Sequence, residues 1–359
     1  AVVAVVYRGE VLFLGGYGWA DIDGRVPADP RRSLFRIASI TKPFVWTALM
    51  QLAEQGELDL DDPVTPYLDF DIPGTFEEPI RIRHLMSHTA GFEELATGTA
   101  ARSADGLRPL RDYLVDGMPR RVRPPGQHAA YSNYGSALAG YVVERITGQD
   151  WSEYLDARIF APLGMTATTA RDEMTAALRA RHAISYRYRA GRFEPIDYLY
   201  VMDRPAGQIS TTAADMARFM LAHLGDGSAG SGRILQPASV RTMREPLFEA
   251  HPELPPILHG FFRSDRNGQV VYGHGGDVNG FHSNLSLLPE RALGVFVAFN
   301  ADPASTARAH LVDAFVDHFF PVTYLGDPVA PATRQIARYA GEYLPLRRNV
   351  STFERLGTL

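Results

Sequence analysis

The chain opens on a nearly unbroken apolar run, AVVAVVY over residues 1–7, stopped by Arg8-Gly9-Glu10. A second run rich in Val, Leu and Gly follows over 10–18, so the two predict a β-hairpin around a charged turn. From Ser39 the period changes. Ile40, Phe44, Val45, Ala48, Leu49, Leu52 and Ala53 recur at helical spacing, and Gly56 ends the pattern. Pro43 is compatible with this helix because it falls in the first turn, where its missing N–H has no intrahelical partner. Residues 57–200 read mostly as helices and loops punctuated by Pro and Gly. One helix is predicted from about Tyr134 to Thr147, with Gly148 as its stop. Another begins near Thr212, where Thr212 and Asp215 have capping-box spacing, and it buries Met216, Phe219 and Met220. Strand patterns return over 258–263, 269–274, 282–288 and 292–299, with Asn267-Gly268 at a hairpin turn. A last helix is predicted over about 304–319.

Strands at both ends and helices between them predict an α/β (α+β) architecture. An antiparallel sheet flanked by helices is expected from residues 1–56 and 200–320, with a mostly helical domain, 57–199, inserted. Residues 321–359 read as linker and tail. The 359 residues can bury a large core. The chain holds no cysteine, which removes disulfides, thiolate zinc sites and thiol nucleophiles. A net charge of −5 gives no reason to expect nucleic acid. The one basic cluster, Arg120, Arg121 and Arg123, reads as a solvated face. No run is long and apolar enough to span a bilayer. The chain begins on Ala1 without a signal-peptide pattern, which reads as a processed or trimmed form of something longer. Gly225–Gly232 lacks the ending of a phosphate loop and reads as a flexible loop. No Gly-x-Ser-x-Gly is present, which argues against an α/β-hydrolase.

Three short constellations could carry chemistry. Ser39-Ile40-Thr41-Lys42 places a hydroxyl and an ammonium three residues apart at the start of a helix, hence on one face. A serine needs a proton acceptor to become a nucleophile, and burial lowers a lysine's pKa toward that task. Alone, the pattern recurs by chance. Tyr131-Ser132-Asn133 sits on a loop entering the Tyr134 helix. It offers a phenol as base and an amide to hold the lysine, and it equally fits a helix cap with a core tyrosine. His274-Gly275-Gly276 ends a strand pattern, and its glycines let a substrate approach the backbone. It also fits a bend with a structural histidine. His84 and His88 have i, i+4 spacing, but no HExxH surrounds them and no metal site is expected there.

Taken in order, Ser-x-x-Lys, Tyr-x-Asn and His-x-Gly resemble the serine β-lactamase and penicillin-binding-protein superfamily, in the branch of class C β-lactamases, family VIII esterases, D-aminopeptidases and alkaline D-peptidases. Leu34–Ser39, the 84–92 segment HLMSHTAGF, Pro162–Met165 and Ala206–Thr211 carry the same resemblance, which covers about residues 1–320. It implies a β-lactamase/transpeptidase-like fold and an acyl-enzyme on Ser39. Lys42 and Tyr131 would share the proton transfers, with the acylation base left open, and Tyr131 would activate water for deacylation. His274 would stand where a lysine is usual. Asn133 would contact lysine and substrate, Gly275 and Gly276 would line the strand, and the backbone N–H groups of Ser39 and Asp277 would form the oxyanion hole.

Gly275 stands where many β-lactam-handling relatives carry Thr or Ser, and His274 is a weaker, pH-sensitive cation, so both tilt the expectation away from an efficient β-lactamase. The leading expectation is a hydrolase of esters or D-amino-acid-containing amides and peptides, with no cofactor. The alternatives are a class C-like β-lactamase or DD-carboxypeptidase, and an acylated sensor or scaffold with little turnover. Transfer to an amine instead of water is a variant of the first. Specificity is expected in the loops 92–125, 171–205 and 245–260. The resemblance also implies an extracytoplasmic location. Tyr339–Tyr343 looks like the opening of an appended β domain, too short here to form a barrel.

Overall fold

A computed structural model of the chain describes residues 1–322 and 340–358. Eight strands form the main sheet: β1 (Val2–Tyr7), β2 (Glu10–Gly16), β3 (Pro246–Phe248), β4 (Ile257–Leu258), β5 (Phe262–Arg266), β6 (Gln269–Val278), β7 (Phe281–Leu288) and β8 (Leu293–Phe299). Their order is β3-β4-β5-β6-β7-β8-β1-β2, antiparallel throughout, so the first hairpin of the chain docks against its last strand. Val2, Ala4 and Val6 enter one apolar core, and Val3 and Val5 enter another on the opposite face. Both faces of β1 are covered, which is why its sequence is apolar throughout instead of alternating.

The helices that frame the site are α1 (Thr41–Glu54), α2 (Ile82–Met86), α3 (Asn133–Thr147), α4 (Ala213–Leu224) and α5 (Ala307–Phe319). Every residue of α1 from Thr41 to Leu52 is buried, the signature of a central helix. Its Phe44 ring stacks on Phe219 of α4 at 3.9 Å between centroids. Thr212 caps α4 by accepting from the Asp215 N–H at 3.2 Å, as its spacing predicts. Gly148 ends α3 in the left-handed conformation, φ 67°. On the far face of the sheet, Val312 and Val316 of α5 cover Val271, Val295 and Val297.

Several expectations are corrected. The strand predicted over 258–263 is broken between β4 and β5. At the break Gly260 has φ +86°, and a Cβ there would lie 2.0 Å from Trp46 Cδ1. Strand β6 runs on to Val278, so 274–276 lies inside the strand, with Gly275 and Gly276 paired to Asn284 and Ser283. The 225–232 stretch is no simple loop, because Ser228–Ala229 pairs with Gly232–Arg233. Arg121 is not on a solvated face: it is buried, its guanidinium lies 5.2 Å from the Phe76 ring centroid, and burial lowers its pKa. Separately from these corrections, His84 and His88 do not share a helix, since α2 ends at Met86 and His88 has φ +56°. Apart from Pro321 and Val322, the predicted linker lies outside the described residues, as does Tyr339. Ala340–Tyr343 forms no strand.

Candidate active site

A single turn of 3₁₀ helix, Ala38–Ile40, runs directly into α1 and presents Ser39. Ala38 takes φ +47°, an unfavourable region for a residue with a Cβ, so the chain is held in a sharp bend just before the serine. Lys42 lies one turn on and is fully buried. Its Nζ sits 3.0 Å from Ser39 Oγ, 2.8 Å from Asn133 Oδ1 and 2.8 Å from the Ala206 carbonyl. Burial pulls the pKa of Lys42 well below the ordinary lysine range; the neighbouring Asp203 opposes this and Arg347 adds to it. The three neighbours match a neutral amine. Its two N–H bonds meet two pure acceptors, and its lone pair meets the one group that can donate, the Ser39 hydroxyl.

Ser132 caps α3 by accepting the Gly135 N–H at 3.0 Å. The cap fixes Tyr131 just before the helix and Asn133 at its first residue, so the helix-cap reading holds and the same geometry brings both side chains to Lys42. Lys42 Nζ is 4.7 Å from the Tyr131 ring centroid. Ser39 lies within hydrogen-bonding reach of the phenol. Burial pushes the phenol well above its ordinary range, while Ser39 and Arg347 hold it back. The imidazole of His88 lies against the Tyr131 ring at 4.4 Å, and its Nδ1 accepts the Ser132 N–H at 3.2 Å. Burial holds His88 neutral.

Across the site, His274 Nδ1 lies 2.6 Å from the Gly275 carbonyl. A carbonyl only accepts, so Nδ1 bears the proton and Nε2 is the acceptor. Nε2 is buried without a hydrogen-bond partner among the described residues. Burial lowers the pKa of His274 to about 3, with Lys42 adding to the effect. The residue expected as a weak cation is therefore a neutral acceptor. A Cβ on Gly276 would lie 2.1 Å from the Ile37 carbonyl, so β6 presses its backbone against the approach to Ser39. A Cβ on Gly275 would lie 2.4 Å from Arg308 Nη1, which fills the space a larger residue would need. The Asp277 carboxylate is taken by Arg308 and by His282 Nδ1 at 2.7 Å.

The structure brings Ser39, Lys42, Tyr131, Asn133 and His274 together, and adds residues that no motif signalled. Asp203 is buried, with its pKa raised by burial and lowered by Lys42. Glu94 and Arg347 form an ion pair beside Tyr131. The only hint of Asp203 in the sequence was its place three residues before Ala206.

A Ser-x-x-Lys turn feeding a buried helix, a Tyr-x-Asn cap facing it, and a His-Gly-Gly strand on an antiparallel sheet define the serine β-lactamase-like, penicillin-recognising class. The beta-lactamase family matches residues 1–317, and the chain belongs to that family, whose members are serine hydrolases. Penicillin-binding protein 4 of Amycolatopsis lactamdurans is 30% identical over 87% of this chain and 84% of its own length. Protein flp of Staphylococcus aureus is 26% identical over 89% of this chain, which spans 63% of that protein's length. Among solved structures, D-amino acid amidase from Ochrobactrum anthropi SV3 is similar with a TM-score of 0.71 and 26% identity, covering 89% of this chain and 93% of that one.

Proposed function

We propose that the protein is a serine hydrolase that forms an acyl-enzyme on Ser39 and acts on esters or on D-amino-acid-containing amides and peptides. The observation that carries this reading is the buried Lys42 amine, 3.0 Å from Ser39 Oγ with its other contacts filled by Asn133 and Ala206. Likeness to a D-amino acid amidase supports the substrate class.

In this mechanism Ser39 Oγ attacks the substrate carbonyl and its proton passes to Lys42 Nζ. The backbone N–H groups of Ser39 and Asp277 hold the oxyanion, donors worth about 3–4 kcal/mol of barrier each. Tyr131 gives its phenolic proton to the leaving group as the carbonyl–leaving-group bond breaks. The acyl-enzyme then faces a Lys42 ammonium and a Tyr131 phenolate. The phenolate takes a proton from water as water attacks the ester carbonyl. The Lys42 ammonium returns its proton to Ser39 Oγ as the acid leaves, and the site is reset. In this mechanism His274 Nε2 accepts a hydrogen bond during these transfers.

The test is turnover of p-nitrophenyl acetate and butyrate, a D-alanyl p-nitroanilide and nitrocefin by the wild type and Ser39→Ala. Ester or D-anilide cleavage that is lost in the variant is the expected result. Near-wild-type turnover by Ser39→Ala would overturn the reading. Likeness to a penicillin-binding protein keeps a DD-carboxypeptidase or β-lactamase as the second reading, and fast nitrocefin turnover would select it.

A further inference from the structure

The described C-terminal residues return to the site from the far end of the chain. Glu93 is buried, and its carboxylate accepts the Val350 N–H at 2.7 Å, the Ser351 N–H at 2.8 Å and the Ser351 hydroxyl. Glu354 reciprocates: its carboxylate accepts the Ala96 N–H at 3.0 Å, the Thr97 N–H at 3.1 Å and the Thr97 hydroxyl. Asn349 is buried, donates to the Glu94 carbonyl at 3.1 Å and accepts the Thr352 N–H at 2.9 Å. The Glu94 N–H meets the Arg348 carbonyl at 3.1 Å. Two carboxylates, each taking a pair of backbone N–H groups, clamp residues 347–354 to residues 93–97 from both sides.

What this joint delivers is Arg347. Its guanidinium carbon lies 4.7 Å from the Tyr131 ring centroid, and its Nε pairs with Glu94. Its two Nη groups make no hydrogen bond among the described residues. The other charged or titratable groups facing Tyr131 are Lys42, His88, His274, Asp203 and Glu94. The two histidines are neutral, burial drives Lys42 toward neutrality, and the two acids oppose a phenolate. Of this set Arg347 is the one cation whose charge does not come and go with the proton that Ser39 gives to Lys42. A cation over the face of a phenol favours its ionised form.

We propose that Arg347 is a positioning residue that supplies the permanent cation for the phenolate of Tyr131, and that residues 347–354 are the strap that holds it there. The role a third-motif lysine could fill is thereby moved to another part of the chain, because His274 is uncharged. The inference rests on Tyr131 acting as the proton carrier proposed above.

The experiment is the pH dependence of kcat/KM for p-nitrophenyl butyrate, with the full chain, for wild type, R347M, R347K and E93Q. Ser39→Ala and Tyr131→Phe run alongside. Arg347 is half-exposed, so R347M removes the charge without opening a cavity. Removing a nearby cation disfavours the phenolate that forms as Tyr131 protonates the leaving group, so R347M should lower kcat/KM by about tenfold across the pH range without adding a titration step. The loss should fall on kcat, with KM little changed. R347K should recover most of the wild-type profile. E93Q, which loosens the strap, should resemble R347M. An R347M profile that superimposes on wild type, with Ser39→Ala and Tyr131→Phe inactive, would overturn this inference alone. Turnover retained by Ser39→Ala or Tyr131→Phe would overturn the underlying mechanism and this inference with it.

Discussion

Lys42 and Asn133, ninety-one residues apart in the chain, meet at 2.8 Å inside the protein, and this contact orients the amine toward Ser39. One partner sits in the first turn of α1 and the other is the first residue of α3. The contact therefore also ties the two helices that wall the site, and neither residue can be removed without exposing the other's need for a partner.

Replacing Asn133 by Leu leaves an N–H of Lys42 unpaired in a buried position. A loss of about 1–3 kcal/mol in stability is expected, together with a fall in kcat of at least tenfold. Lys42→Met should keep the fold and lose about a thousandfold or more in kcat/KM, since it removes the proton acceptor. Denaturant midpoints and ester kinetics on both variants check this.

His274 should be invisible as a titrating group in the activity profile. Its pKa is lowered by burial to about 3, so no step is expected near the ordinary histidine value. His274→Lys brings a like charge toward Lys42, which disfavours the Lys42 ammonium. Activity that depends on the neutral amine should then persist to lower pH than in wild type. The acid limb of kcat/KM against pH measures the shift, and movement to higher pH would contradict it.

Stability should fall on mild acidification. His182 is half-buried and His223 and His274 are buried, with pKa values lowered by desolvation to about 4, 3 and 3. Between those values and the unfolded value of about 6.5, the unfolded chain binds protons that the folded chain refuses. Stability is therefore complete above pH 6.5 and is lost as pH drops through that window, by about 1 kcal/mol per histidine per pH unit. Urea midpoints at pH 7.5, 6 and 5 test the slope.

Gly275 and Gly276 should respond differently to added bulk. A Cβ at 275 meets Arg308 Nη1 at 2.4 Å, the far end of a flexible side chain. Gly275→Thr should therefore cost about 1–2 kcal/mol and leave the protein folded. It restores the hydroxyl seen in many β-lactam-handling relatives, so acylation by nitrocefin should rise. A Cβ at 276 meets the Ile37 carbonyl at 2.1 Å, which is backbone next to the serine turn. Gly276→Ala should cost about 3 kcal/mol or more, or abolish turnover. Thermal melts and nitrocefin acylation rates distinguish the two.

Features that depend on short-range geometry were legible in the residues alone. Ser39 and Lys42 are one helical turn apart, so their meeting follows from helix pitch. The Thr212 cap, the Gly148 stop and the Asn267-Gly268 turn follow from local backbone preferences. The beta-lactamase resemblance added the order of the three motifs. The remaining features needed the folded chain, because they rest on distant segments excluding water together. The strand over 258–263 breaks because the Trp46 ring lies against Gly260. His274 is neutral because burial outweighs its charge. Asp203, Glu94 and Arg347 become part of the site through contacts spanning up to about 250 residues, which no local pattern encodes. Arg121 reads as a surface cation from its neighbours and is buried over Phe76. Spacing along a chain specifies which side chains share a turn; the pKa values and long-range pairs that make such a turn reactive arise only once the fold has removed the solvent.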